Sequence, residues 1–168
     1  MEARARERRS QAFLAKPLTM SSVALHIAVF LISAVGIAYQ IVLMRVFSVA
    51  QWHHFAYMII SIAMLGFGAS GTVLALLRPR LRGRENGLLA ASTLALALAL
   101  PACYVLSQRI PFETFEVVTQ RVQMLYLLGL YLVLALPFFL VSTCITLALF
   151  LTPQHVGRVY GINMAGSG

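Results

Sequence analysis

Acidic residues are scarce in this sequence. Asp and Glu together number 5 in 168 residues, and charged residues of both signs make up 11%. A soluble domain carries about 25%. With 60% hydrophobic residues, the chain has too little polar side chain to cover a globule in water, so lipid must solvate most of it. None of the acids falls within an apolar run. That counts against a proton-coupled transporter whose carriers lie in these runs, because such relays use intramembrane Asp, Glu or His. The only cysteines are Cys103 and Cys144, both inside apolar runs. They indicate neither a disulfide framework nor a metal cluster, and read as small apolar side chains, buried or lipid-facing. No glycine-rich phosphate loop after a strand, no nucleophile elbow and no carboxylate pair within a run is present, so no catalytic residue is assigned.

What is present is apolar length. A span needs about 20 apolar residues at 1.5 Å rise each. Four segments qualify: 23–44, 55–77, 88–106 and 124–151. The fold class is therefore all-α, a polytopic transmembrane helical bundle. The fourth segment is long enough to need tilt. A fifth helix is predicted to begin near 159, in "GRVYGINMAGSG". The sequence ends at Gly168 within that stretch, and a lone half-helix has no partner for its backbone in lipid. The expectation is that the chain is a piece of a longer protein.

The net charge of +8 raises the question of nucleic acid, but the cations are not gathered on one domain face. Arg4, Arg6, Arg8, Arg9 and Lys16 precede the first span; Arg78, Arg80, Arg82 and Arg84 lie between the second and third; Arg158 follows the fourth. If the spans alternate, all of these fall on one side, against Arg45, Arg109 and Arg121 on the other. That bias puts the N-terminus in the cytoplasm and excludes nucleic acid as the partner; the lipid bilayer takes its place. The basic N-terminus with Ser48-Val49-Ala50 resembles a signal peptide and its cleavage site. The first apolar run is longer than the roughly 7–15 residues of a signal h-region, so it reads as a retained helix. Residues 1–20 form a basic cytoplasmic tail, and 21–168 the transmembrane domain.

The connections carry their own signals. Arg45–His54 reads as a tight outer link, with Trp52, Tyr39 and Tyr57 at interfacial positions. The cytoplasmic turn is "RPRLRGRENG", with Pro79 stopping the second helix and Asn86-Gly87 making the turn. The second outer loop, "SQRIPFETFEVVTQR", reads as a short amphipathic segment at the interface. Pro137, in the fourth span, removes the hydrogen bond to the Val133 carbonyl and predicts a kink. Ser142, Thr143 and Thr146 follow and are placed to satisfy freed backbone groups.

Small residues supply the packing signal. "MLGFGASGT" places Gly66 four before Ser70 and Gly68 four before Thr72, with Gly71 in the same run. Such spacing lets helix backbones approach closely in lipid. In the first span Ser33, Gly36 and Gln40 share a face, so spans one and two are expected to pack through these faces. Gln40 is the costliest residue within a span, because a buried amide in lipid must find partners. Ser61 or Tyr57 is the expected one. Gln40 reads equally as an interhelical hydrogen bond and as a functional site. Arg45 reads as a headgroup-snorkelling side chain, or as an anion or substrate contact at the hairpin mouth. His53 and His54 are adjacent and so not the i, i+4 pair of a helical metal site. They read as polar caps of the second helix. Tyr39, Gln40, Arg45, His53 and His54 make up the candidate polar network.

Two stretches resemble a known family. "GIAYQIVLMRVFSVAQWHHFAYMIISIAMLGFGASG" looks like the first helical hairpin of membrane proteins fused to a spermidine-synthase-like domain, through Tyr39, Gln40, Arg45 and the Gly66–Gly71 run. "GRVYGINMAGSG" is similar to that family's Arg-x-Tyr-x-x-(Asn/Asp)-x-x-Gly signature, through Arg158, Tyr160, Asn163 and Gly166. The Trp52–His54 triplet has no counterpart in that pattern. The resemblance implies a major-facilitator-like membrane half followed by a Rossmann-like domain, an aminopropyltransferase using decarboxylated S-adenosylmethionine or a methyltransferase using S-adenosylmethionine. Cofactor-binding residues would belong to that domain, and none is assigned within these 168 residues. The chain's own C-terminal domain and a second copy of the chain are the other expected partners, and a bacterial plasma (inner) membrane the expected location. Two alternatives stay open: part of a major-facilitator-like transporter, which predicts an internal repeat, and a non-catalytic membrane scaffold. Span three has no counterpart of Tyr39, Gln40 and Arg45.

Overall fold

The structure, a computed structural model, describes residues 22–50, 55–81, 83–109 and 121–168. Five α-helices follow in order: α1 Ser22–Ala50, α2 Phe55–Leu81, α3 Glu85–Arg109, α4 Arg121–Leu151 and α5 Val156–Ser167, with a 3₁₀ turn at Pro153–His155 between the last two. There is no strand among the described residues. Four helices are long and apolar enough to cross a membrane. Exposed Val23, Ile27, Leu31, Leu94, Leu98, Leu128 and Leu132 turn outward, a surface that only lipid solvates well. The chain is a multi-pass membrane protein built as a helical bundle.

Each span is longer than its apolar run. α1 continues six residues past Met44 to Ala50, so Arg45 lies on the helix and not in a link. At 1.5 Å per residue, α1 is about 43 Å long and exceeds the roughly 30 Å hydrocarbon core. α2 likewise runs through Pro79 to Leu81. Pro79 removes the bond to the Ala75 carbonyl and crowds it, and only two residues of α2 follow it, so the helix ends within the turn that the proline disturbs. The turn predicted at Asn86-Gly87 falls elsewhere, because both residues lie in the first turn of α3. The chain reverses at Gly83, whose φ of 81° is open to glycine. α5 starts at Val156, three residues before the predicted position. Trp52, His53 and His54, the second outer loop 110–120 and the basic tail lie outside the described residues.

α4 is the centre of the bundle and packs on all four other helices. Of its most apolar stretch 44% is buried, against 22% for α1. Contacts fix the directions. Gly66 and Ser70 of α2 meet Ala135, Phe138 and Thr143 of α4 in ascending order, so these two helices are parallel. Ser92 and Thr93 of α3 meet Cys144. The apolar core forms two clusters. One holds Val29, Leu74, Leu96, Cys144, Leu147 and Val159, toward the α2–α3 turn. The other holds Leu43, Phe47, Ile59, Leu130, Leu134 and Phe138, toward the α1–α2 link. Both cysteines are free and buried. Arg78, at the turn end of α2, lies over the Phe150 ring of α4 at 4.9 Å, a cation–π contact that ties the parallel pair where they leave the apolar zone.

The small-residue faces do not pack on each other as expected. Both turn to α4. A Cβ at Gly66 would stand 2.7 Å from the Phe138 Cβ and 2.8 Å from the Ala135 carbonyl oxygen; one at Gly36 would touch Val141 at 3.1 Å. Gly68 and Gly71, by contrast, have nothing within 4 Å of a built Cβ and take no part in packing among the described residues. The helical repeat explains the split: Gly66 and Ser70 share one face, and Gly68 and Gly71 point away from it.

Candidate functional site

Polar side chains meet across helices at three places near mid-bundle. Thr143 donates its hydroxyl to the Phe139 carbonyl of its own helix at 2.8 Å. Its oxygen, 2.9 Å from Ser70 Oγ, therefore accepts the proton of the fully buried Ser70. On α3, Ser92 donates to the Leu89 carbonyl, and the Cys144 thiol reaches Ser92 Oγ at 3.3 Å. The third place joins α1 to α5. Ser33, 3% exposed, lies 2.7 Å from Asn163 Oδ1. One turn on, Gly166 lies against α1 so closely that a Cβ there would stand 2.6 Å from the Phe30 carbonyl oxygen.

This third contact borders a cavity of about 430 Å³ between α1, α2, α4 and α5. Ser33, Ser142, Asn163 and Ser167 supply its polar groups, and Phe67 and Ile145 are among its apolar walls. Ser142 reaches across to the Phe67 carbonyl at 3.4 Å, a long contact for a hydrogen bond. Ser142 and Thr143 thus bond elsewhere, and neither satisfies the Val133 carbonyl that Pro137 frees. Pro137 is itself buried, and α4 remains one helix across it.

The predicted polar network is spread differently. The Tyr39 ring packs on Phe138 at 5.5 Å and 53°, and Phe67 lies edge-on to the same ring at 6.0 Å and 67°. The Tyr39 hydroxyl is buried and has no hydrogen-bond partner among the described residues. Gln40 is half-buried, but the expected partners turn away: Tyr57 and Ser61 are exposed, and Ser61 donates within α2 to the Tyr57 carbonyl at 3.2 Å. Arg45 is exposed on α1. Of the signature on α5, Asn163 and Gly166 face α1, while Arg158 and Tyr160 are exposed. Ser33 was legible only as a packing residue; its role as Asn163's partner depends on which helices adjoin, and that is not visible from spacing. No group of three or more His, Cys, Asp or Glu able to hold a metal occurs among the described residues.

The fold and these contacts define an integral membrane helical bundle with polar seams at mid-depth. No family model, curated protein or solved structure matches the chain.

Proposed function

We propose that the chain is the membrane module of a spermidine-synthase-like integral membrane protein. In this reading it sits in a bacterial plasma membrane with its N-terminus in the cytoplasm. It anchors or serves a C-terminal domain that transfers an aminopropyl group from decarboxylated S-adenosylmethionine or a methyl group from S-adenosylmethionine. One observation carries the reading beyond sequence likeness. The two stretches that resemble the family belong to helices that lock together, through Ser33–Asn163 at 2.7 Å and through Gly166 on the Phe30 carbonyl. A signature whose amide and glycine build one helix contact has a physical reason to occur as a unit.

The test begins with the coding sequence past the codon for Gly168. The expected result is a few further spans, then a strand, a Gly-x-Gly turn and a helix, with an acid about 20 positions on. Purified full-length protein should then transfer an aminopropyl group to a diamine, or a methyl group to an acceptor. Further spans alone would overturn the transferase reading in favour of a transporter, and a stop codon at position 169 would leave a scaffold.

A further inference from the structure

We propose that the cavity between α1, α2, α4 and α5 binds a neutral, lipid-soluble molecule through a hydroxyl group. The inference starts from Ser33. Its Oγ lies 2.8 Å from the Val29 carbonyl oxygen and 2.7 Å from Asn163 Oδ1. A serine hydroxyl has one proton, so it cannot donate to both. The bond to a carbonyl four residues back is the regular one for a serine within a helix. An amide's oxygen and nitrogen are distinguished only by the network around them. Turning the Asn163 amide resolves the conflict: Ser33 donates to Val29, and Asn163 Nδ2 donates to Ser33 Oγ.

That assignment fixes what the cavity offers. The Asn163 side-chain oxygen, Oδ1, is released, together with one amide N–H. The hydroxyl protons of the other lining serines point elsewhere, Ser167 to the backbone carbonyl of Asn163 at 2.9 Å and Ser142 to the Phe67 carbonyl at 3.4 Å. Acceptors therefore outnumber donors. A hydroxyl both donates and accepts, and so answers both ends of the amide. An ether or ester oxygen answers only the N–H and leaves the amide carbonyl unpaired, which is costly away from water. No Asp, Glu, Lys, Arg or His lines the cavity. A charged ligand, a polyamine included, would lose its hydration without a counter-ion. The apolar walls, Phe67 and Ile145 among them, accept a hydrocarbon body. The volume of about 430 Å³ is within the range of small-molecule sites.

A matched pair of probes tests this on the full chain in lipid nanodiscs: 1-dodecanol and dodecyl methyl ether, at equal mole fraction in the bilayer. The thermal unfolding midpoint follows binding, since a ligand of the folded state alone raises it. Dodecanol should raise the midpoint saturably, and the ether should need at least tenfold more. Asn163→Leu should remove the distinction between the two. Ile145→Trp, which fills the cavity without touching the polar pair, should abolish the saturable effect; if that variant does not fold, Ile37→Phe on the opposite wall takes its place. Equal effects of both probes, shifts that never saturate, no shift at all, or a response unchanged by cavity filling would each overturn the proposal. None of these outcomes depends on transferase activity.

Discussion

The two halves of this bundle differ in how their described polar side chains are placed. Toward the α2–α3 turn, Ser33, Ser70, Ser92 and Cys144 each find a partner on another helix. Toward the α1–α2 link, buried Gln123 is held, but among the described residues the Tyr39 hydroxyl is buried without a hydrogen-bond partner, and Gln40, one residue on, finds neither Tyr57 nor Ser61. An interhelical hydrogen bond in lipid contributes only about 0.6 kcal/mol, so the α2–α4 and α1–α5 contacts are held chiefly by close backbone approach at Gly66 and Gly166 and by the packing it permits. Tyr39 and Gln40 keep polar capacity that the packing around them among the described residues does not use. The comparison teaches where to look for structure and where for activity.

The strongest way to break it is at Gly66. Gly66→Leu drives side-chain atoms into the Ala135 carbonyl and the Phe139 backbone, where no flexible group can yield. The expected loss is at the upper end of the roughly 1–3 kcal/mol that overpacking costs. Denaturant unfolding in mixed micelles should show it as a lowered midpoint or as failure to recover folded protein. Gly68→Ala, two residues away with open space around it, should leave stability unchanged or raise it by up to about 1 kcal/mol through helix propensity. Equal effects at the two glycines would remove the distinction between the packing face and the lipid face of α2.

Gly166→Ala should come next, at about 1–2 kcal/mol by the same overpacking. Its Cβ meets the Phe30 carbonyl and the Ser33 side chain, but α5 is only 12 residues long, and a short helix can shift as a body. The measurement is disulfide cross-linking of a Ser33→Cys, Asn163→Cys pair, with and without the Gly166 substitution. Efficient cross-linking that Gly166→Ala abolishes fits the contact, and no cross-linking in either background would refute the α1–α5 register.

How far the fold was legible follows from these residues. Length and hydropathy locate the four spans because lipid demands about 20 apolar residues in each. The ends were missed because backbone hydrogen bonding carries α1 past Arg45, and α2 runs on through Pro79 despite the bond that proline lacks, and hydropathy registers neither. Small-residue spacing picked out Gly36, Gly66 and Ser70 as packing positions. It could not name the partner: a helical face says that something approaches, not which helix, and here α4 takes the α2 face while α4 and α5 share the α1 face. Asn163 and Gly166 were singled out by resemblance alone, and Ser33 by its face. Only the adjacency of α1 and α5 makes them one contact with a cavity beside it.

Ser70→Ala sharpens the comparison on a smaller scale. It deletes the donor to Thr143 but leaves the Thr143–Phe139 bond in place, so no buried proton is orphaned. The expected cost is about 0.6 kcal/mol, read from the same unfolding curves. Thr143→Val removes both bonds and should cost somewhat more. A loss several times larger for Ser70→Ala would mean that the hydrogen bond, and not Gly66, governs the α2–α4 approach.

Gln40→Leu carries the smallest effect on stability and the most information about function. With no hydrogen bond to Tyr57 or Ser61 to lose, Gln40 should be replaceable by leucine within about 0.5 kcal/mol, and the variant can be slightly more stable, because an amide facing lipid is itself a cost. Stability and activity then separate. In a scaffold the variant behaves as the parent in every assay. If the link end is a site, the full-length protein keeps its unfolding midpoint and loses transfer or transport. Ser33 and Asn163 cannot be tested in this way, since a substitution at either disturbs the α1–α5 contact and the cavity together. A marked fall in stability for Gln40→Leu would instead place a structural partner for Gln40 at the link end and erase the contrast between the two halves.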